Sequence, residues 1–258
     1  MTAATRAGTA ARLLIVPMPL DHGCEVLAPL DTVLPRPVIE QAATLDHWVC
    51  ENARTLRAVL KRVAALVPLK TPLQAQSVLE LPRELHKKGD AGTRLDPRTV
   101  LAAALAGHDV GLASEAGMPG VADPGASVVR AAHDIGLEVV PLVGPSALLL
   151  ALAASGLNGQ AYAFVGYLPQ EAGDRARRIR ALQTLALGQG QTQIFIETPY
   201  RNRALWAALL EHLAPATRLG VASGLTLQQA HCATREVQHW RAHDCPVGEA
   251  PAVFLIGR

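Results

Sequence analysis

Aromatic residues are scarce in this 258-residue sequence, since Phe, Trp and Tyr together account for only 3% of it. Half of the residues are nevertheless hydrophobic, so the chain can bury a sizeable core built from aliphatic side chains. Charged residues make up 18%, a composition that argues against a disordered chain. The sequence therefore predicts a globular protein with an aliphatic core.

Cysteine is also rare, and its four residues lack the C-x-x-C spacing of common zinc sites. They are too few and too scattered for a disulfide scaffold. The nine histidines form no H-E-x-x-H motif. We therefore expect reduced thiols, a cytoplasmic protein and no metal site.

Long hydrophobic runs are missing as well. The most apolar stretch, residues 142–157, is interrupted by Gly144, Pro145 and Ser155 and falls short of the roughly 20 residues that a membrane-spanning helix needs. The first eleven residues contain no apolar segment like that of a signal peptide, and we expect them to form a loose tail. We expect a soluble protein with no membrane partner.

Charge is nearly balanced, with a net value of +2 that neither requires nor excludes a nucleic-acid partner. Basic side chains concentrate in two segments, from Arg83 to Arg94 and from Arg175 to Arg180. Both are candidate RNA-contacting segments. The first lies within residues 80–97, which contain little apolar material and are expected to form a mobile basic loop, and a solvated connection is favoured there over an RNA-contacting loop.

Short β-like runs alternate with amphipathic segments along the chain, which predicts a parallel-rich α/β sheet. In residues 52–67, apolar side chains recur at three- and four-residue steps, and the basic side chains between them are expected on a solvated helix face: Arg54, Arg57, Lys61 and Arg62. A helix is also expected at 99–106, and a strand is expected around 236–240. We place a domain boundary near Gly144, giving domains at 1–144 and 145–258.

A glycine- and proline-rich segment at residues 114–125 follows a predicted strand and precedes a predicted helix. Open α/β sheets bind ligands at this end of their strands, and glycines let the backbone approach a ligand closely. The segment is therefore a candidate small-molecule loop. The alternative is a tight crossover turn in which Asp123 caps the following helix.

A second segment, residues 141–147, again passes from a strand through a Gly-Pro turn to the start of a helix. The helix start near Ser146 offers free N–H groups that suit a carboxylate, although Ser146 can equally be an ordinary N-cap. The sequence contains no G-x-G-x-x-G, Walker A or G-x-S-x-G motif, which weakens dehydrogenase, NTPase and hydrolase interpretations.

These two segments, together with residues 154–157, 164–169 and 196–201 in the same order, resemble the tetrapyrrole methylase superfamily. The likeness is to its branch containing the small-subunit rRNA ribose-2′-O-methyltransferase. The resemblance implies two α/β domains, a parallel-rich N-terminal sheet and a mixed-sheet C-terminal domain, with S-adenosylmethionine in the cleft between them, and a homodimer. The cofactor contacts that it implies are Pro17, Pro19, Ser114, Glu115, Ala116, Gly117, Met118, Pro119, Asp123, Gly144, Pro145, Ser146, Ala147, Leu168, Glu197, Leu225, Thr226, Pro251, Ala252 and Val253.

The sequence departs from this family's pattern in its first loop, residues 17–23, which lacks both the T-P-I-G-N-L of the rRNA enzymes and the G-x-G-P-G-D of the porphyrin and corrin enzymes. Asn52 stands where the rRNA enzymes have Asp within E-D-T-R, and Glu115 also replaces an Asp. These changes predict a sister subfamily of the rRNA enzyme.

Three functions follow from the resemblance. The first is S-adenosylmethionine-dependent methylation of RNA at a ribose 2′-oxygen, the second is C-methylation of a corrin or porphyrin, and the third is a cofactor-binding module without catalysis. For a ribose acceptor, Glu51 and Glu115 are the candidate catalytic carboxylates. For both, hydrogen bonding to the cofactor or helix capping is the alternative role.

Overall fold

The computed structural model describes residues 10–21, 23–88, 90, 92–247 and 250–258. The chain divides into two compact units, Met1–Pro145 and Ser146–Arg258, which we call unit 1 and unit 2. Residues 1–9 of the expected loose tail lie outside the described residues.

Unit 1 contains a five-stranded sheet of order β3-β2-β4-β1-β5 in which every neighbouring pair is parallel. Its strands are β1 (Arg12–Ile15), β2 (His47–Cys50), β3 (Ser77–Glu80), β4 (Val110–Ala113) and β5 (Glu138–Pro141). The three central strands β2, β4 and β1 are largely buried, as expected for parallel strands covered on both faces.

Helices cover both faces of this sheet. They are α1 (Leu30–Val33), α2 (Arg36–Ala43), α3 (Ala53–Ala64), α4 (Arg83–Lys88), α5 (Pro97–Val100), α6 (Ala102–Leu105) and α7 (Ala126–Asp134), with a 3-10 turn at Leu73–Ala75. Successive residues of β1 point to opposite faces: Leu13 packs in the cluster that holds Val128 of α7, and Leu14 in the cluster that holds Leu56 of α3. Unit 1 is therefore a doubly wound α/β layer structure.

The winding of unit 1 reverses between two central strands. From β1 the chain crosses over to β2 on one side, whereas from β4 it crosses over to β5 on the other side. The carboxyl ends of β1 and β4 thus form a topological switch point, where open α/β sheets place their ligands.

Unit 2 contains a mixed five-stranded sheet of order β6-β7-β10-β8-β9. Its strands are β6 (Tyr162–Tyr167), β7 (Thr192–Glu197), β8 (Arg218–Ser223), β9 (His231–Glu236) and β10 (Ala252–Gly257). The pair β6 and β7 is parallel, and the other neighbours are antiparallel. With the parallel sheet of unit 1, this confirms the expected α/β fold class.

The helices of unit 2 are α8 (Ala147–Ser155), α9 (Ala172–Gln189), α10 (Asn202–His212) and α11 (Val237–Trp240), with a 3-10 turn at Pro199–Arg201. Residues of β10 alternate between two clusters. Phe254 packs with Leu209 of α10 on one face, and Leu255 packs with Leu152 of α8 on the other. The unit thus has a core on each side of its sheet.

Two local predictions are wrong, and a third is wrong in part. The strand expected around 236–240 is helix α11, which buries Val237 and Trp240 one turn apart. The helix expected at 99–106 is interrupted at Leu101, where φ and ψ are −124° and 26°. The connection at 80–97, expected to be solvated, is so only in part: it contains α4, and Leu81 and Leu85 pack in the core, whereas Arg83 and Arg94 are exposed.

Candidate functional site

Two loops pair with each other at the switch point of unit 1. The N–H of Met18, which follows β1, donates to the carbonyl of Gly117 at 2.8 Å, and the N–H of Gly117 donates back to Met18 at 3.1 Å. Gly117 has a φ of +67°, a conformation that favours glycine. The bridge fixes the distance between the first loop and the 114–125 loop.

The first loop is held by an ion pair that we did not predict. Asp21 is only 3% exposed and accepts hydrogen bonds from both terminal nitrogens of Arg62 at 3.1 and 2.9 Å. Arg62, expected on the solvated face of α3, also donates to the carbonyl of Ala28 at 2.6 Å. Because a buried carboxylate needs such partners, this pair supports the unusual first loop. Its two residues are 41 positions apart, so no local pattern indicates it.

Pro17 and Gly144, two of the predicted cofactor residues, lie against each other. A Cβ added to Gly144 would overlap the ring of Pro17 and would lie 3.4 Å from Leu34. Since the ring of proline cannot rotate away, only glycine allows the loop after β5 to lie this close to the loop after β1. The structure therefore brings the two Gly-Pro loops and the first loop together at one edge of the sheet.

The 114–125 loop is folded back on itself. Gly125 has a φ of +145°, and a Cβ there would lie 2.9 Å from the backbone nitrogen of Gly120. The N–H of Gly120 donates to the carbonyl of Pro124 at 3.3 Å. Ala122 also has a positive φ, +69°, which is uncommon for a residue with a side chain and is a form of local strain found at binding sites.

Glu51, which follows β2, contacts the same loop. Its carboxylate is 7% exposed and accepts a hydrogen bond from the backbone N–H of Glu115 at 3.0 Å. The carboxylate of Glu115 accepts in turn from the hydroxyl of Thr55 at 3.3 Å. Asn52, not either glutamate, caps α3 by accepting from the N–H groups of Arg54 and Thr55. The structure thus gives Glu51 a role in supporting the loop backbone.

Asp123 does not cap α7, whose N-cap residue is Gly125. Burial raises the pKa of Asp123 to about 7, with further increases from the nearby charges of Glu51 and Glu115 and an opposing effect of the Ser114 hydroxyl. The hydroxyl of Ser114, which is 1% exposed, also donates to the carbonyl of Ala116 at 3.0 Å. The edge therefore gathers three carboxyl groups, one of which takes up a proton near neutral pH.

This shift predicts how stability depends on pH. The folded state holds the proton of Asp123 up to about pH 7, whereas the unfolded chain releases it near the ordinary value of 3.8. The contribution of Asp123 to stability is therefore full below about pH 4 and is lost as the pH rises to about 7. Between pH 4 and 8, the free energy of unfolding in urea should decline less for Asp123→Asn than for the unaltered protein. Identical pH dependence in both proteins would contradict the assignment.

The predicted site residues of unit 2 also gather at one edge of their sheet. Glu197 ends β7 and pairs in register with Ala252 at the start of β10, while the buried Leu168 follows directly on β6. Pro251 and Val253 flank Ala252 and share its position at this edge.

Glu197 is 7% exposed and is paired rather than free. It accepts from Arg201 at 2.8 and 2.6 Å through two nitrogens and from the N–H of Thr198 at 2.7 Å. This fixes the chain as it leaves β7. Unlike Asp21 and Arg62, these residues are close in sequence, within the block Glu197-Thr198-Pro199-Tyr200-Arg201 that carried the resemblance.

The loop after β8 contains a second strained residue. Thr226 has a φ of +74°, which is rare for a β-branched residue, and its buried hydroxyl has no hydrogen-bond partner among the described residues. Leu225 beside it packs against the cluster on the α8 side of the sheet. Strain combined with an unpartnered hydroxyl marks this loop as a candidate ligand contact.

Ser146 and Ala147 lie at the start of α8. Ser146 occupies the N-cap position, and its side chain makes no capping hydrogen bond within the described part of the chain. The first N–H groups of α8 therefore remain a candidate anion contact, as the Gly-Pro turn predicts.

Within the described residues, no helix is long and apolar enough to cross a membrane. The same residues hold no group of three or more His, Cys, Asp and Glu side chains that could bind a metal ion.

Solved structures share the fold of this chain. A crystal structure of the methyltransferase CobJ matches with a TM-score of 0.57 and 17% identity, covering 96% of this chain and 94% of that one. Uroporphyrin-III-C-methyltransferase from Thermus thermophilus matches with a TM-score of 0.51 and 15% identity, covering 96% and 93%. At these identities the likeness concerns the fold alone.

Sequence relatives are more similar. A protein named ribosomal RNA small subunit methyltransferase I from Mesorhizobium japonicum is 34% identical over 215 residues, which cover 82% of this chain and 66% of that protein. Its namesake from Bacillus subtilis is 31% identical over 175 residues, covering 68% and 53%. The chain thus spans less than two thirds of the length of these relatives.

The family model described as Tetrapyrrole (Corrin/Porphyrin) Methylases matches residues 32–238 of this chain. The match includes the 114–125 and 141–147 segments and the block at the end of β7, and it agrees with the fold and with the sequence relatives. The chain therefore belongs to the tetrapyrrole methylase family.

Proposed function

We propose that this protein is an S-adenosylmethionine-dependent methyltransferase that acts on RNA, at a ribose 2′-oxygen. The observation that carries the proposal is the joining of the loops after β1, β4 and β5 at the switch point, through the Met18–Gly117 bridge and the contact of Gly144 with Pro17. Relatives that are at least 31% identical over two thirds of this chain carry a name that specifies methylation of ribosomal RNA.

The residues at this edge suit the proposed cofactor. S-adenosylmethionine carries a sulfonium and an ammonium cation, and the edge offers the carboxyl groups of Glu115 and Asp123 as well as backbone N–H and carbonyl groups. Gly117 has a positive φ, and Gly144 lies directly against the ring of Pro17, so both positions favour glycine and let the loops approach one another closely. The predicted contacts in unit 2 stay predictions.

The methyl group on a sulfonium is already activated, so the protein mainly has to align an acceptor with it and exclude water. The rigid pairing of the first loop with the 114–125 loop supplies the alignment. Glu51 supports that loop through the N–H of Glu115, which leaves the half-buried Glu115 carboxylate as the better-placed group to take a proton from an acceptor hydroxyl.

RNA as the acceptor is supported by the exposed basic face of α9. Arg177, Arg178 and Arg180 are exposed, and Arg177 is paired with Asp174, which leaves Arg178 and Arg180 without a carboxylate partner among the described ion pairs. Because Arg180 contacts Nδ1 of His212 at 3.4 Å, Arg178 is the arginine on this face best suited to a phosphate contact. In the other basic segment, Arg94 lies 3.8 Å from Asp134.

We expect Arg178→Glu to weaken RNA binding and to lower the slope of log affinity against log salt by about 1. Lys61→Glu, the same change of charge on the exposed face of α3, is the matched control. Filter binding at several salt concentrations measures both. Equal effects of the two variants would remove α9 from the RNA-binding surface.

We also propose a cytoplasmic homodimer. Leu149 and Leu150 on α8 are 53% and 39% exposed, and this apolar pair is the surface that we propose for the subunit contact. Sedimentation velocity would show twice the mass of the chain if the proposal holds.

Isothermal titration calorimetry with S-adenosylmethionine tests the cofactor part of the proposal. Binding by the folded protein, and competition by S-adenosylhomocysteine, is the expected result. Absence of binding by a protein whose fold is confirmed by circular dichroism would overturn it.

A further inference from the structure

The chain between β3 and α5 is attached to the start of α7 by a buried aspartate. Asp90 is 3% exposed, and its Oδ2 accepts hydrogen bonds from the N–H of Gly125 at 2.8 Å, the N–H of Ser127 at 2.8 Å and the hydroxyl of Ser127 at 2.6 Å. Burial alone would raise the pKa of Asp90, but these hydrogen bonds outweigh it and the pKa is lowered. Asp90 is therefore a buried, ionised carboxylate that caps a helix 35 residues away.

Weaker contacts continue this attachment along α7. Arg130 donates to the carbonyl of Thr93 at 2.9 Å, and Arg94 lies 3.8 Å from Asp134 in an exposed pair that contributes little. Of these contacts between the connection and α7, those made by Asp90 are buried. Loss of Asp90 would leave three donors at the start of α7 without their acceptor.

Gly125 connects Asp90 to the 114–125 loop. It is the residue at which the loop ends, and its backbone lies directly against Gly120, so fixing Gly125 also fixes where the loop turns back. From Gly120 the loop leads back to Gly117, which pairs with Met18 at the switch point.

We propose that Asp90 is a positioning residue that holds the 114–125 loop in the conformation that binds the cofactor. The inference rests on the proposed function, because it concerns the same edge. It adds a residue that touches neither the predicted cofactor contacts nor the reacting atoms, and it gives the connection after β3 a role in the site.

The test compares Asp90→Ala with Asp96→Ala by calorimetry with S-adenosylmethionine. Asp96 is the control, because its carboxylate caps α5 through the N–H of Arg98 at 3.0 Å instead of capping α7. We expect Asp90→Ala to bind the cofactor at least about tenfold more weakly than Asp96→Ala, a difference of ~1.4 kcal/mol. Asp90→Asn, which keeps an acceptor oxygen, should recover part of the affinity.

Should Asp90→Ala not fold, Ser127→Ala removes only the hydroxyl donor and should weaken binding in the same direction. Equal affinity of folded Asp90→Ala and Asp96→Ala would overturn the proposal.

Hydrogen exchange of the amides at 115–127 in the cofactor-free protein separates this proposal from the proposed function. We expect faster exchange in Asp90→Ala than in Asp96→Ala. If the unaltered protein binds no cofactor, the proposed function fails, and exchange alone then decides whether Asp90 positions the loop: equal exchange in the two variants overturns that role.

Discussion

Replacing Gly144 by alanine should weaken cofactor binding strongly while most of the chain keeps its fold. The added Cβ would overlap the ring of Pro17, and the overlap can be relieved only by moving the loop after β5 away from the loop after β1. Such overpacking costs ~1–3 kcal/mol of stability. Because the same movement separates the proposed cofactor loops, we expect the Kd for S-adenosylmethionine to rise at least about a hundredfold, or ~2.7 kcal/mol.

Gly159→Ala is the control for this experiment. It adds the same methyl group at a position where nothing lies within 4 Å, and its backbone does not require glycine. We expect its stability and affinity to differ little from those of the unaltered protein. Unchanged cofactor affinity in Gly144→Ala, measured by calorimetry, would contradict the placement of the cofactor at this edge.

Replacing Glu51 in two ways should distinguish loop support from proton transfer. Because Glu51 accepts from the N–H of Glu115, Glu51→Ala leaves a donor unsatisfied, which costs ~1–3 kcal/mol, and should weaken cofactor binding and turnover together. Glu51→Gln keeps an acceptor oxygen and should therefore lose much less than Glu51→Ala.

The comparison variant is Glu115→Gln. If Glu115 is the base, its kcat should fall by about 10²-fold or more with little change in cofactor affinity. Single-turnover methyl transfer and calorimetry together separate the two effects. A fall of about 10²-fold in kcat for Glu51→Gln, with unchanged affinity, would instead make Glu51 the base.

Much of the fold could be predicted because its signals are local. The central strands β1, β2 and β4 are continuous hydrophobic runs, since both of their faces are buried. β3 gave no such signal, because it lies at the sheet edge with mostly exposed side chains. The strand predicted at 236–240 was wrong. The spacing of Val237 and Trp240, one helical turn apart, fits the helix that the structure shows and not the alternation of a strand.

The candidate site likewise has residues that local sequence patterns predict and residues that they do not. Glycines and prolines in the 114–125 and 141–147 segments mark their loops locally, and the resemblance then adds residues such as Pro17 and Glu197. The residues that hold these loops could not be predicted. Arg62 fits the pattern of a solvated helix face, and Asp90 lies in a polar connection. Their partners are 41 and 35 residues away, so no local pattern indicates either contact.

Methyl transfer from labelled S-adenosylmethionine is the most direct test of the central claim. The purified protein would be incubated with small-subunit ribosomal RNA in one reaction and with a porphyrinogen mixture in another, with Gly144→Ala as the negative control. We expect label in the RNA, retained in a nucleotide whose 3′ linkage resists alkali because its 2′-oxygen is methylated. Label in the porphyrinogen instead, or cofactor binding without transfer to either acceptor, would contradict the account.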